Sequence, residues 1–339
     1  TAPGMDLLHK LVCWADVVVH NILDDTAQRM GLTCDQLQKI NPNVVCSQLS
    51  CFGGSFRGGW ETRSGFDPVA QCDSGLMAHY GTQQSPHWHG GTAAADTFGG
   101  LNLALTSLFG IYQKHRTGHA GEGRTSLARA VNYYQLPHMI SENGCSDWGT
   151  ASGQLAVGDH WWQRLYHCND GWLYVGTHED QANLLAQAVV GQDPVDEKTL
   201  ESLFKQQNCI HWLETLRSFQ IACHRVETFT DLMKQEARLV SNDEENEVAQ
   251  EALEILQWGD HPSGCPVTFL APTWARVGED RSYKRLSPAP RFGEHSAEIL
   301  RELGYSDDEI AELISLKIIY EYLPALGSKD AYFFKVEQQ

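Results

Sequence analysis

The sequence predicts an α/β protein: a parallel sheet covered by helices, followed by a smaller α/β lobe. Three observations carry this. Amphipathic and β-branched stretches alternate over residues 6–52, the pattern of strands joined by helical crossovers. A strand-like run, GWLYVGT at 171–177, stands apart among helical patterns. The 339 residues, 42% apolar and 20% charged, suffice for two lobes with sizeable cores.

LLHKLVCWA predicts a helix over 6–15, and DVVVH a buried strand over 16–20. Short helices follow at 24–30 and 33–40, with Gly31 as a stop and Thr33 as a start. Asn41-Pro42-Asn43 is a turn before a strand at 44–52. Residues 53–65 form a Gly-rich loop whose pattern is neither a dinucleotide fingerprint nor a P-loop. One helix is expected over 66–80, and a longer one over 96–115, apolar nearly all round and therefore central. Residues 125–140 read as a further helix and 142–170 as irregular. Helical patterns occupy 181–190, 196–207, 211–218 and 228–235, with a short strand at 223–226. The stretch 236–260 is acidic and helix-prone, and 264–292 is extended. A Pro-Arg-Phe-Gly-Glu-His turn then precedes two amphipathic helices, the second opened by a Ser306/Glu309 capping box. The expected organisation is 1–165 as the first segment of a large domain, 166–235 as a small domain, 236–263 as an acidic helical linker and 264–339 as the returning segment.

A formal charge of −18 argues against a general nucleic-acid surface. Ten cysteines are scattered without a CxxC pair, so zinc-ribbon and thioredoxin readings fail and reduced thiols in an intracellular compartment, cytoplasm or organellar matrix, are expected. No apolar run reaches the ~20 residues that span a bilayer. His87 and His89 flank Trp88 as a metal pair could, but no third ligand lies nearby in the sequence and solvated loop histidines are the favoured reading. Trp161, Trp162 and Trp172 are expected in the core.

Five segments in order resemble one family. They are ADVVVHNILDDTAQRMGLTCDQLQKINPNVVCSQLSCFGG (15–54), GFDPVAQCDSGLM (65–77), DTFGGLNLALTSLFGIYQKHRTG (96–118), CNDGWLYVGTHEDQ (168–181) and APRFGEHSAEILRELGYSDDEI (289–310). Together they resemble the class III CoA-transferases, which include formyl-CoA and carnitine CoA-transferases and the related alpha-methylacyl-CoA racemase. The resemblance implies a Rossmann-like large domain, a small α/β domain and an interlocked dimer. It also implies about two further α/β units ahead of residue 1, and hence a piece of a longer protein, such as the degenerate half of a fused pair.

The resemblance further implies transfer of CoA between an acyl-CoA and a carboxylic acid, with coenzyme A as substrate and no covalently bound cofactor. Such transfer needs a carboxylate that can hold the acyl group as a mixed anhydride. The family's Asp aligns with Arg129, and a permanently protonated guanidinium cannot attack a thioester. Residues 123–140 contain no Asp or Glu, which leaves Glu122 as the nearest substitute. The racemase base aligns with Phe66, which cannot move a proton. Asn21, Gly53, Gly54, Phe66, Gln71 and Asp96 fall at the family's CoA-contacting segments. Asp24 and Asp25 stand where relatives keep a phosphate-binding Arg-Pro-Gly, so repulsion is expected there. The alternatives are a catalytically inactive dimerisation half, or a remodelled acyl-CoA lyase or hydrolase using Glu122 or Asp67 as base. The expected partners are a small carboxylic acid and a second copy or homologous domain, with neither nucleic acid nor membrane.

Overall fold

A computed structural model describes residues 2–53, 63–141, 153, 155–191, 196–232, 255–258, 267–270, 290 and 293–320. The chain divides into two compact units, residues 8–226 and residues 1–7 with 227–339.

In the first of these, β1 (Val17–His20), β2 (Val45–Ser50) and β3 (Glu122–Ser126) form a parallel sheet in the order β1-β2-β3. Val45 and Val44 are fully buried. Helices α1 (Ala2–Trp14), α2 (Asp24–Met30) and α3 (Cys34–Ile40) supply Val12, Ala27 and Leu37 to one core with Val44 and Cys46. Gly31 ends α2 at φ 75°, a left-handed cap that glycine adopts without strain. Thr33 opens α3 in a reciprocal capping box with Gln36. Asn41 binds the carbonyls of Val12 and Ala15 at 3.0 and 3.2 Å, locking the turn before β2 onto α1.

The segment 66–80 is two helices, α4 (Asp67–Asp73) and α5 (Leu76–Tyr80), rather than one. The break is Gly75 at φ 78°. The long helix α6 (Ala94–Thr117) packs on the sheet where its own glycines allow close approach. A Cβ at Gly99 would strike Leu127, and one at Gly110 would strike Val45. Its expected central position is not what the structure shows: Leu101, Leu105, Leu108, Phe109 and Tyr112 are exposed. Apolar composition all round gave no way to tell a helix covered on every side from one covered on its sheet side alone.

The expected helix at 125–140 begins later and is interrupted. Thr125 and Ser126 finish β3, which pairs in parallel register with β2 from Cys46↔Glu122 to Ser50↔Ser126. Helix α7 (Leu127–Tyr134) follows, capped by the Ser126 hydroxyl, and α8 (Leu136–Met139) restarts around Pro137. Glu-Gly-Arg-Thr-Ser carries little β-branched signal, so β3 exists because tertiary pairing overrides propensity.

A second, antiparallel sheet comprises β4 (Gly158–His160), β5 (Gln163–Cys168), β6 (Gly171–Gly176) and β7 (Cys223–Arg225) in sequence order. Two of its strands lie in the stretch expected to be irregular, where QRLYHC alternates outward and inward without an apolar run. Helices α9 (Ala182–Val190), α10 (Glu197–Phe204) and α11 (Cys209–Ser218) cover one face. The core there centres on Tyr166, Phe204, Leu173, Leu185 and Leu216, and the Tyr166 and Phe204 rings stack 4.2 Å apart. Fully burying each such side chain contributes about 1.5–3 kcal/mol. Trp161 and Trp162 pack partly against this core. Trp172 does not: alternation along β6 turns Leu173 and Val175 inward and leaves Trp172 and Tyr174 exposed.

In the other unit, residues 229–232 are helical. Strands β8 (Ile255–Trp258) and β9 (Val267–Leu270) pair antiparallel. Thus 255–258, expected to be helical, is a strand because it finds a partner in the extended segment that follows. The rest of 236–263 lies outside the described residues. Helices α12 (Ser296–Glu302) and α13 (Asp307–Ser315) bury Ala297, Leu300 and Ile310 against Leu7 and Leu313. The Ser306/Glu309 capping box is present. None of the helices among the described residues is long and apolar enough to cross a membrane.

Candidate functional site

Strand β3 delivers residue 129 to the first turn of α7. The Ser126 hydroxyl accepts the Arg129 N–H at 3.2 Å, and the Ala128 N–H donates to the Cys51 carbonyl at 3.0 Å. Leu127, Ala128, Ala130 and Val131 are buried, so α7 is fixed on its inner side and presents Arg129 outward. A cation in the first turn opposes the helix dipole, whereas a carboxylate there would be favoured.

Glu122 is not beside it. It starts β3, so about 13 Å of strand separates it from Ser126. Its Oε1 accepts the Arg124 Nε–H at 2.6 Å. Arg124 also donates to both oxygens of Asp24, at 3.1 and 3.2 Å, and the Gln48 amide donates to Asp24 Oδ1 at 2.7 Å. His20, Gln48 and Arg124 are in register across the sheet, so they form one row near the carboxyl ends of the strands. Open α/β sheets bind ligands at that end. Burial works against the Arg124 charge, but its bonds to Glu122 and Asp24 outweigh this and hold it firmly protonated. Burial also holds His20 below the usual imidazole value. A cavity of about 120 Å³ opens over this row, bounded also by Thr33, Cys34 and Cys46. Asp24 is thus ion-paired to Arg124, which it shares with Glu122, so the trio keeps a net negative charge.

Asn21 is exposed in the loop after β1. Gly53 is buried at φ 98° and its N–H donates to the Ser50 hydroxyl at 2.9 Å. Gly54 lies outside the described residues. Phe66, 65% exposed, immediately precedes α4. Gln71 is fully buried, with its amide donating to Asp67 at 2.6 Å and to the His89 carbonyl at 3.0 Å, while its oxygen accepts the His89 N–H. Asp67 is also buried, and its Oδ2 accepts the N–H groups of Ala95 and Asp96 at 2.8 and 3.2 Å. It therefore caps α6 from another helix, a role that spacing could not reveal because the partners lie 28 and 29 residues apart. Asp96 is exposed, yet burial of its carboxyl and the neighbouring Asp67 charge raise its pKa. Among the described residues no group of three or more His, Cys, Asp or Glu is placed to hold a metal ion.

The model of CoA-transferase family III matches residues 1–296. The CoA-transferase/lyase DddD of Marinomonas sp. (strain MWYL1) is 29% identical over 335 residues, 96% of this chain and 40% of that protein. The chain thus spans two-fifths of that relative. The succinyl-CoA:glutarate CoA-transferase of Mus musculus is 21% identical over 342 residues, 94% of this chain and 74% of the relative. Among solved structures, Rv3272 from M. tuberculosis superposes with a TM-score of 0.66 at 19% identity, covering 88% of this chain and 78% of that one. A CAIB/BAIF family protein from Brucella suis gives 0.65 at 21% identity, covering 89% and 79%. These structural likenesses carry the fold.

Proposed function

This chain belongs to CoA-transferase family III, and from that premise we propose that it acts on CoA thioesters of carboxylic acids without itself supplying the acyl-accepting carboxylate. The observation that carries the proposal is Arg129, outward-facing in the first turn of α7, with neither Asp nor Glu in residues 123–140. The nearest acid in the sequence, Glu122, is bonded to Arg124 at the far end of β3. Anhydride chemistry needs an oxygen nucleophile within reach of the thioester carbonyl, and a guanidinium cannot replace it. Buried Asp67 is equally unsuited as a base, because both its oxygens already accept hydrogen bonds.

A second homologous unit that keeps the carboxylate, as a separate chain or within a longer polypeptide, would provide it; another copy of this chain would not, because it too carries Arg129. A relative named as a CoA-transferase/lyase, of which this chain spans two-fifths, supports such an arrangement. Two measurements separate the parts of the proposal. Calorimetry of the chain with CoA should give saturable binding, and its absence would remove the ligand. Exchange of an isotopically labelled carboxylate into acyl-CoA should be negligible with this chain alone and appear when a unit with an intact nucleophile is added. Exchange by the chain alone would overturn the assignment of Arg129.

A further inference from the structure

Among the described residues, two pairs of free cysteines are neighbours: Cys34 and Cys46 belong to one buried cluster and line one cavity, and Cys168 and Cys209 belong to another cluster. Their surroundings differ. Cys168 and Cys209 are sealed in the core of the antiparallel lobe, each 0% exposed. Cys34, the first residue of α3, and Cys46, in β2, pack with Leu37 and Val44 on one side but bound the cavity beside His20 and Arg124 on the other. A cavity of about 120 Å³ exceeds the share of liquid volume that a water occupies, about 30 Å³, so a molecule the size of a peroxide fits.

We propose that Cys34 and Cys46 are a modification site, coupled into a disulfide by a peroxide that enters this cavity. The thiolate of one cysteine attacks a peroxide oxygen, the O–O bond breaks, and a sulfenic acid and water form. The second thiol then attacks the sulfenic sulfur, the S–O bond breaks, and a second water leaves with the thiol proton. The sulfur pair loses two electrons and hydrogen peroxide gains them; a dithiol reductant reverses the change. The bridge ties the start of α3 to β2 beneath the His20–Gln48–Arg124 row. Burial raises both thiols, so thiolate is scarce near neutral pH, coupling is slow, and its rate rises about tenfold per pH unit. The inference does not rest on the proposed activity.

The test uses the full chain treated with hydrogen peroxide at pH 7 and 8, then alkylated, digested without reductant and mapped by mass spectrometry. A linked Cys34–Cys46 peptide should form about ten times faster at pH 8, while Cys168–Cys209 stays unlinked over the same time. In Cys46→Ser, Cys34 should accumulate as a sulfenic acid trapped by dimedone. Complete oxidation of exposed Cys13 and Cys72 with no Cys34–Cys46 link would overturn the proposal. Equal linking of Cys168–Cys209 would overturn it too, because unfolding rather than the cavity would then give access. A rate independent of pH, or a Cys34 inert in Cys46→Ser, would do the same.

Discussion

Replacing Asp67 with alanine strips three donors of their acceptor at once. The Ala95 and Asp96 N–H groups at the start of α6 lose Oδ2, and the Gln71 amide loses Oδ1. Hydrogen bonds to a charged group contribute about 1.5–3 kcal/mol each, and a buried group left unsatisfied costs about 1–3 kcal/mol. Asp96 is exposed, so water can reach its N–H; Ala95 and Gln71 are fully buried, so it cannot reach theirs. The net cost should therefore be about 3–5 kcal/mol. Asp67→Asn, which keeps one oxygen acceptor, should cost about half. Because Gln71 also holds His89 through both its amide atoms, the loss should spread to the 87–92 loop. Urea unfolding gives the total, and hydrogen exchange with mass spectrometry locates it. Faster exchange should appear in peptides covering 67–73, 87–92 and 94–98. A cost below about 1 kcal/mol, or unchanged exchange at the start of α6, would refute the cross-helix cap.

Gly99→Ala drives a Cβ into Leu127 and should destabilise by about 1–3 kcal/mol, whereas Gly100→Ala, with open space around it, should stabilise by about 0.5–1 kcal/mol in urea titrations. Arg164 is buried and ion-paired to Glu197 and Glu201 on α10. Arg164→Leu should cost about 2–3 kcal/mol, below the full value for a buried pair because both glutamates are partly exposed. Burial places the folded pKa of His20 below its unfolded value, so the unfolded chain takes up the proton first. That contribution is intact above about pH 6.5 and is lost as pH falls through the folded value. His79 shifts the same way through burial and the facing His138. Urea midpoints should fall from pH 7 to pH 5, and His20→Asn should make the fall shallower; an unchanged slope would contradict the account.

Local signals were legible where one residue sets the backbone. Gly31, Thr33 and the Ser306/Glu309 box mark helix ends in the sequence and in the structure. Strand β1 was legible because Val-Val-Val is β-branched throughout. What escaped was set by partners distant in sequence. Strand β3 needs β2 beside it, and the Arg124–Asp24 pair joins residues 100 apart. Asp67 looked like a spare carboxylate until α6 placed its first amides against it. The place of residue 129 in a first turn, capped by Ser126, was not legible, because it required β3 to end at that serine.

The central claim is that residue 129 decides whether this chain can carry an acyl group. Intact-mass spectrometry of the chain and of Arg129→Asp, each incubated with an acyl-CoA and then with hydroxylamine, tests it most directly. The account predicts no mass gain on the chain itself and, for Arg129→Asp, an acyl or CoA adduct that hydroxylamine removes. A hydroxylamine-sensitive adduct on the unaltered chain would contradict it.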